Sequence, residues 1–200
     1  MPSPADPSPD GMPAGPRPDP AAWASSEMCL ILIGMAGAGK SRIGLELASQ
    51  LDWAHLDADN LIEAAYGAPL QYIVDNLDRE AFLDLEATVI QNLRVRRCVI
   101  STGGSAVYRE RAIAHLQKLG LILHLWVPLP VILERIARKP DRGLVIAAGQ
   151  TIESLFNERI SLYQQYASFT IHGGNGPVQE YARQALEQIR SALPHWPGTG

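Results

Sequence analysis

The sequence is poor in cysteine and in long apolar runs, and both shortages exclude classes of protein. Only two cysteines, Cys29 and Cys98, are present, each within an apolar segment. This usage favours buried, reduced thiols in a cytoplasmic protein over a disulfide scaffold or a cysteine-ligated metal site. No apolar run is long enough to span a bilayer, and the basic start and long apolar segment of a secretory signal are missing. We therefore expect a cytoplasmic protein without a membrane partner.

The sequence also lacks a surplus of positive charge. The formal net charge is −4, and most of that negative charge lies in residues 1–27, so the rest of the chain is close to neutral. One cationic cluster (Arg94, Arg96, Arg97) precedes the apolar segment 98–100. Cations at such a place suit the C-terminal end of a helix better than a nucleic-acid surface. We expect no nucleic-acid partner.

Proline is unevenly distributed and marks a domain boundary. Eight of the fifteen prolines lie between Pro2 and Pro20, mixed with Ser, Gly, Ala and Asp. Such a segment lacks the apolar side chains that would offset the entropy lost on ordering. The composition predicts a disordered tail over residues 1–27, one folded domain over 28–194 and a flexible C-terminus over 195–200.

Apolar periodicity after the tail predicts strands that alternate with helices. The predicted strands are 29–33, 54–56, 98–101, 121–127 and 168–171, and the predicted helices are 40–51, 60–66, 69–76, 79–93, 109–119, 130–138, 151–167 and 177–193. A polar loop covers residues 139–150. This alternation is typical of a three-layer α/β sandwich around a parallel sheet.

Residues 34–41 fit the phosphate-binding pattern GxxxxGK followed by Ser or Thr, and they lie between the first strand and the first helix. In this context the backbone of the loop approaches an anion closely, and the helix dipole adds positive charge. We expect Lys40 to contact the β and γ phosphates and Ser41 to bind Mg²⁺. The residues predicted to cradle the phosphates are Gly34, Ala36, Gly37, Ala38, Gly39, Lys40 and Ser41. The chain should therefore bind a nucleoside triphosphate.

Two carboxylates follow the second predicted strand. Asp57 and Asp59 are two residues apart, so both point the same way on an extended segment. One of them would reach the Mg²⁺ shell while the other accepts a hydrogen bond from a substrate hydroxyl. A structural role, with Asp59 as the N-cap of helix 60–66, is an alternative.

The strand that often carries a second NTPase aspartate lacks one here. The segment 98–101 continues into Thr102, Gly103 and Gly104, and no Asn-Lys-x-Asp guanine-binding motif is present. These absences argue against most ATPases, motor proteins and GTPases. The two glycines follow a strand end, where α/β sheets bind ligands, although a plain turn is equally consistent with them.

Two arginines in the C-terminal half are candidates for binding anions. Arg142 lies in the polar loop, where it is placed to close over the phosphates. Arg159 lies within a predicted helix and requires an anion, either a substrate carboxylate or a structural glutamate. Spacing alone does not separate these two possibilities.

Taken together, the motifs resemble those of the shikimate kinase family over residues 29–193. The matching segments are GMAGAGKSRIG at 34–44, DADNLIE at 57–63, DREAFLDLE at 78–86, STGGS at 101–105, Arg142 and NERISLY at 157–163. The resemblance implies a P-loop kinase with a five-stranded parallel sheet, ATP and Mg²⁺ as cofactors, a mobile lid and a small hydroxylated acid as acceptor.

The resemblance also implies a role for each matching residue. It assigns the metal to Asp57, the acceptor hydroxyl to Asp59, the phosphates to Arg142 and the acceptor carboxylate to Arg159. Residues 173–177, with Asn175 and Pro177, would surround the adenine. Lys40, Asp59 and Arg142 would be the catalytic residues, and Gly103, Gly104 and position 105 would contact the acceptor. We expect a monomer.

Two positions depart from the family pattern. Leu83 replaces an arginine that holds the acceptor carboxylate, and Ser105 replaces a third glycine. Loss of a charge-assisted fork of this kind costs about 1.5–3 kcal/mol. A pocket with one cation fewer suits an acceptor with its own ammonium, so a hydroxy amino acid such as homoserine is the first prediction and shikimate the second. A regulator that binds nucleotide without turnover is the alternative of another class.

Overall fold

The computed structural model of the chain describes residues 28–139, 143–194 and 196. The predicted tail and Arg142 lie outside this range. In chain order the elements are β1 (Cys29–Ile33), α1 (Lys40–Leu51), β2 (Ala54–Asp57), α2 (Ala58–Tyr66), α3 (Leu70–Asn76), α4 (Arg79–Gln91), β3 (Cys98–Ser101), α5 (Glu110–Leu119), β4 (Gly120–Trp126), α6 (Leu129–Arg138), α7 (Ile152–Tyr166), β5 (Phe169–His172) and α8 (Val178–Ala192).

The five strands form one parallel sheet in the order β2-β3-β1-β4-β5. All five residues of β1 are completely buried, as expected for a central strand covered on both faces. Helices pack on this sheet, with α1 beside α8 and α4 beside α5. The predicted three-layer α/β sandwich is confirmed. Because the strands are parallel, the carboxyl ends of β1, β2 and β3 meet at one edge of the sheet.

The boundaries of the elements agree with the sequence prediction to within a few residues. Asp78 is the N-cap of α4, since its carboxylate accepts a hydrogen bond of 2.8 Å from the backbone of Ala81. A short 3₁₀ helix, Ala106–Tyr108, follows β3 and was missed because three residues are too few to show a period. No helix among the described residues has the length and apolarity needed to cross a bilayer.

A small cluster of buried apolar residues is separate from the main core. It contains Ile62, Leu70, Ile73, Phe82, Leu83 and Val145. These residues come from α2, α3, α4 and the polar loop 139–150, so the cluster packs these helices and the loop against one another.

Trp196 lies in the segment predicted to be a flexible C-terminus, yet it is buried. Its indole N–H donates to the Met28 sulfur at 3.1 Å, and its ring meets the Trp53 ring edge to face at 5.9 Å. This residue is therefore packed on the start of β1.

Candidate active site

The phosphate-binding loop lies between β1 and α1, and its glycines have the backbone angles that such a loop requires. Gly37 and Gly39 have φ values of 82° and 104°, a region that favours glycine. Gly34 has a different role, because a Cβ there would lie 2.7 Å from the Leu125 carbonyl oxygen. Gly34 thus allows the loop to pass close to β4.

Two cavities flank this loop. The first, of about 440 Å³, is lined by Ala36, Lys40, Ser41, Asp59, Gly103 and Arg159, among others. The second, of about 270 Å³, is lined by Ala38, Arg135, Gly173, Gly174 and Tyr181, among others. Gly37 and Gly39 line both cavities. A loop that binds phosphates between two pockets is arranged for a nucleotide on one side and an acceptor on the other.

Lys40 is folded over the loop. Its ammonium donates hydrogen bonds to the carbonyl oxygens of Gly34 at 2.8 Å and Met35 at 3.0 Å. Burial lowers the pKa of Lys40, while Asp59 and Asp57 oppose this shift. The ammonium therefore lies at the loop with nearby carboxylates that favour its charged form.

Ser41 and Asp57 form a pair at the same end of the loop. The Ser41 hydroxyl donates to the Asp57 carboxylate at 2.5 Å. A hydroxyl and a carboxylate are hard oxygen ligands, and Mg²⁺ usually binds one or two such protein groups together with phosphate oxygens and water. The pair therefore fits the predicted metal site.

The structure corrects the predicted capping role of Asp59. Asp57 is the N-cap of α2, because its other carboxylate oxygen accepts a hydrogen bond of 3.0 Å from the Asp59 backbone. The Asp59 side chain does not cap the helix and lines the first cavity. Burial, followed by repulsion from Asp57, raises the pKa of Asp59 to about 6, while Lys40 lowers it. A carboxylate with such a pKa is suited to accept a proton near neutral pH.

Glu86 is a second carboxylate at this site, and it was not among the predicted site residues. It is only 1% exposed, and a Cβ at Gly103 would lie within 2.1 Å of its Oε1 and 2.8 Å of the Asp59 Oδ1. The two carboxylates therefore flank Gly103. Burial, and then repulsion from Asp59, raises the pKa of Glu86 to about 7. The sequence carried only a weak signal, because an inward-facing glutamate on a helix has no motif of its own.

Ser105 reaches Glu86 rather than offering a free hydroxyl to the acceptor. Its hydroxyl donates to the Glu86 Oε2 at 2.7 Å. Gly104, the neighbouring predicted residue, lies against Arg159, since a Cβ there would be 2.9 Å from the guanidinium Nη1. The three predicted residues 103–105 are thus brought together at the cavity, each with a different neighbour.

Arg159 is 1% exposed, and within residues 28–139, 143–194 and 196 its hydrogen bonds go to neutral groups. It donates to the Tyr108 hydroxyl at 3.2 Å and to the Val145 carbonyl at 2.7 Å. No carboxylate among the described residues forms an ion pair with it. The structural glutamate left open by the sequence is therefore not found in this part of the chain. A buried guanidinium on the cavity wall favours an anionic ligand.

The structure does not place Leu83 at the acceptor. Leu83 is 1% exposed and packs in the small apolar cluster, whereas its neighbour Phe82 lines the cavity. Phe82 belongs to the same apolar cluster and also reaches the cavity. An effect of Leu83 on acceptor specificity would then be indirect, through the residues of the small apolar cluster against which it packs.

At the nucleotide end of the site, three residues of the predicted segment 173–177 line the second cavity, namely Gly173, Gly174 and Gly176. Asn175 and Pro177 do not line it, and Pro177 precedes α8 as its N-cap. Arg135 was missed by the sequence analysis. Its guanidinium donates to the carbonyl oxygens of Gly37 and Ala38, each at 3.0 Å, and also to that of Gly174. Arg135 thus joins the phosphate-binding loop to the loop before α8.

Without ligands, the Glu86→Gln variant should become increasingly more stable than wild type as the pH rises. The pKa of Glu86 is raised on folding from 4.5 to about 7, so the folded state binds the extra proton between these values. Stability is therefore lost as the pH rises through this window, by an amount on the order of a few kcal/mol at most. Glutamine is neutral at every pH and avoids the loss. Calorimetry should show an advantage in Tm for Glu86→Gln that grows between about pH 5 and about pH 8.

Glu134→Gln is the matched control for this measurement. Glu134 is exposed on α6 and pairs with Arg138 at the surface, so its loss removes the same charge without a buried carboxyl. Its difference in Tm from wild type should stay nearly constant over the same range. A constant difference for Glu86→Gln as well would show that Glu86 is not held in its protonated form by the fold.

Comparison with known proteins finds similarity along most of the chain. The model of the shikimate kinase family matches residues 36–190. The chain is 38% identical over 167 residues to a shikimate kinase from Nitrobacter winogradskyi, covering 82% of this chain and 78% of that protein. It is 35% identical over 149 residues to a shikimate kinase from Neisseria gonorrhoeae, covering 73% of this chain and 88% of that protein.

A solved structure agrees with these sequence matches. A shikimate kinase from Acinetobacter baumannii, in complex with shikimate, has a TM-score of 0.77 and 29% sequence identity, covering 87% of this chain and 98% of that chain. The resemblance inferred from the motifs is confirmed.

Proposed function

This chain belongs to the shikimate kinase family, and we propose that it transfers the γ-phosphoryl group of ATP to a hydroxyl of shikimate. It is an ATP-dependent small-molecule kinase that uses ATP with Mg²⁺. Shikimate is a small ring acid with one carboxylate and three hydroxyls. The observation that carries the proposal is Arg159, a buried cation on the cavity wall without an ion pair among the described residues.

The groups around the first cavity suit the two ends of this acceptor. Arg159 would bind the carboxylate, and Asp59, which lines the same cavity, would bind the hydroxyl that reacts. In the transfer, the hydroxyl oxygen forms a bond to the γ-phosphorus and the bond from that phosphorus to the β,γ-bridging oxygen of ATP breaks. Asp59 would take the hydroxyl proton, and ADP would leave with the electrons of the broken bond.

The residues of the loop would hold the nucleotide. Lys40 would offset the negative charge that shifts toward the bridging oxygen, and the backbone of residues 36–39 would bind the phosphates. Ser41 and Asp57 would hold Mg²⁺, which neutralises phosphate charge when bound. We keep Arg142, outside the described residues, as the proposed lid cation.

The prediction of homoserine finds no support among the relatives, and shikimate fits better. Homoserine would bring an ammonium next to the carboxylate that Arg159 holds. Two like charges about 5 Å apart repel by about 3 kcal/mol at an effective dielectric constant of 20. This repulsion corresponds to about 100-fold in affinity. We therefore propose that Arg159 alone holds the acceptor carboxylate where Leu83 replaces an arginine, and that the acceptor carries no ammonium.

The wild-type protein should phosphorylate shikimate with a kcat/KM at least about 100-fold above that for homoserine. A coupled assay of ADP release, with both acceptors at equal concentrations, measures the ratio. The Arg159→Lys variant provides a control: it keeps the charge but loses the planar fork, so KM for shikimate should rise. Preference for homoserine would overturn the proposal. ATP binding without transfer to either acceptor would instead support the nucleotide-binding regulator.

A further inference from the structure

Leu83 and Glu86 lie three residues apart on α4, and both are buried. Side chains at this spacing are neighbours on a helix surface, so an arginine at position 83 would be within reach of the Glu86 carboxylate. Leucine offers no such partner. The buried Glu86 carboxyl therefore has no cationic partner at position 83 of its own helix.

Ser105 supplies a partner from a different element. It follows β3 and donates to the Glu86 Oε2 at 2.7 Å. Leu83 and Ser105 are the two positions at which the chain departs from its family's motifs. Ser105 contacts the Glu86 carboxyl, and Leu83 lies three residues before Glu86 on α4. The hydrogen bond satisfies one oxygen without adding charge or bulk beyond a single hydroxyl.

The second oxygen of Glu86 has no hydrogen-bond partner among the described residues. It lies near Gly103, on the same side as the Asp59 Oδ1. Gly103 and Asp59 line the cavity. A buried acceptor without a donor costs about 1–3 kcal/mol, so a donor from the ligand at this point would bind with advantage. Glu86 itself is not among the residues that line the cavity, so such a donor would reach its Oε1 beside Gly103.

We propose that Ser105 takes the place of an arginine at position 83 as the partner of Glu86, and that the free Glu86 Oε1 binds a second hydroxyl of the acceptor beside Asp59. The second half of this inference rests on the proposed function, because it requires an acceptor with adjacent hydroxyls. Ser105 is then a positioning residue, and Glu86 a residue that determines specificity.

The charges that face Glu86 come from several elements. Asp59 on α2 favours its protonated form, whereas Lys40 on α1 and Arg159 on α7 favour its ionised form, as does the Ser105 hydrogen bond. Tyr163 on α7 is also close, and burial raises the pKa of its phenol, so it stays neutral. Removing the Ser105 hydroxyl should therefore raise the pKa of Glu86 further.

The kinetic test compares shikimate with an analogue that lacks the hydroxyl next to the reacting one. For wild type, the analogue should have a KM about 10-fold higher than shikimate, with kcat changed much less. In Ser105→Ala and Glu86→Ala this difference should shrink to about 2-fold or less. Ser105→Thr keeps the hydroxyl, so the difference in KM between shikimate and the analogue should be as large as in wild type. An undiminished difference in both alanine variants would overturn the role of Glu86 Oε1.

A second test does not depend on the acceptor. The pKa of Glu86 can be followed in the unliganded protein by ¹³C NMR of labelled glutamate side chains, with Glu86→Gln to assign the signal. Ser105→Ala should shift the titration to higher pH. Ser101→Ala is the matched control, because this buried serine contacts His55 at 3.0 Å and not Glu86. An unshifted titration in Ser105→Ala would overturn the role of Ser105.

The two tests separate this inference from the proposed function. If wild type does not use shikimate but Ser105→Ala still shifts the Glu86 titration, the proposed acceptor is wrong and the Ser105–Glu86 pairing stands. If shikimate is used and both variants behave as wild type, the acceptor is right and the inference about Ser105 and Glu86 is wrong.

Discussion

Replacing Lys40 with methionine should reduce phosphoryl transfer by at least about 10²–10³-fold while leaving the fold intact. Loss of one group that stabilises developing charge in an enclosed site costs about this much. The ammonium contacts two carbonyl oxygens of the loop, Gly34 and Met35, and contributes little to the apolar core. Methionine has a similar length, so the space near the loop stays filled. Initial rates at saturating ATP and acceptor measure the effect, and circular dichroism checks the fold.

Lys118→Met is the control for the same chemical change. Lys118 is exposed in the last turn of α5, where its charge suits the helix dipole and is distant in sequence from the loop. Its variant should keep wild-type turnover. Near-normal turnover in Lys40→Met would show that the loop does not place this lysine at the phosphates.

The phosphate-binding loop was predictable because its chemistry is local. Eight consecutive residues, 34–41, contain the turn, the cation and the hydroxyl, and the two flanking elements show clear periods. The central part of the parallel sheet was predictable for the same reason, since β1, β3 and β4 are short, mostly apolar and buried runs. Only the neighbour relations, such as β3 between β2 and β1, required the three-dimensional structure or the family resemblance.

The acceptor site was less predictable because its contacts join distant parts of the chain. Glu86 and Ser105 are 19 residues apart, and Arg159 and Tyr108 are 51 apart, so no local pattern connects them. The division of labour between Asp57 and Asp59 depends on which carboxylate caps α2, a choice that spacing leaves open. Leu83 and Phe82 both pack in the small apolar cluster, and the sequence does not show which of the two also reaches the cavity.

The acceptor site also concentrates charge that the fold stabilises poorly. Burial raises the pKa values of Asp59 and Glu86 and lowers that of Lys40, so each of these groups is held in surroundings that disfavour its ionised form. Such shifts are common where a protein needs proton transfer or anion binding. In the proposed function, the ligands would supply the missing partners: phosphates for Lys40 and hydroxyls for the two carboxylates.

Asp59→Asn should lower kcat by at least about 10²-fold, because the amide does not accept a proton from the acceptor hydroxyl. Affinity for the nucleotide should change little, since Asp57 and Ser41 form the proposed metal pair. The pKa of Asp59 is about 6, and a base must be deprotonated to act, so kcat/KM of wild type should rise with pH through this value. This rise of kcat/KM with pH should be absent in Asp59→Asn. Steady-state rates against pH and nucleotide titration by calorimetry measure both effects.

Asp52→Asn is the control for this change, because Asp52 is an exposed residue after α1 in a left-handed conformation that asparagine tolerates well. It should keep the wild-type rate and pH profile. If nucleotide affinity collapses in Asp59→Asn while kcat holds, Asp59 belongs to the metal shell and its role has been exchanged with that of Asp57. Asp57→Asn would then show the loss of kcat with unchanged nucleotide affinity. The two variants measured together therefore assign the metal and the acceptor hydroxyl to one aspartate each.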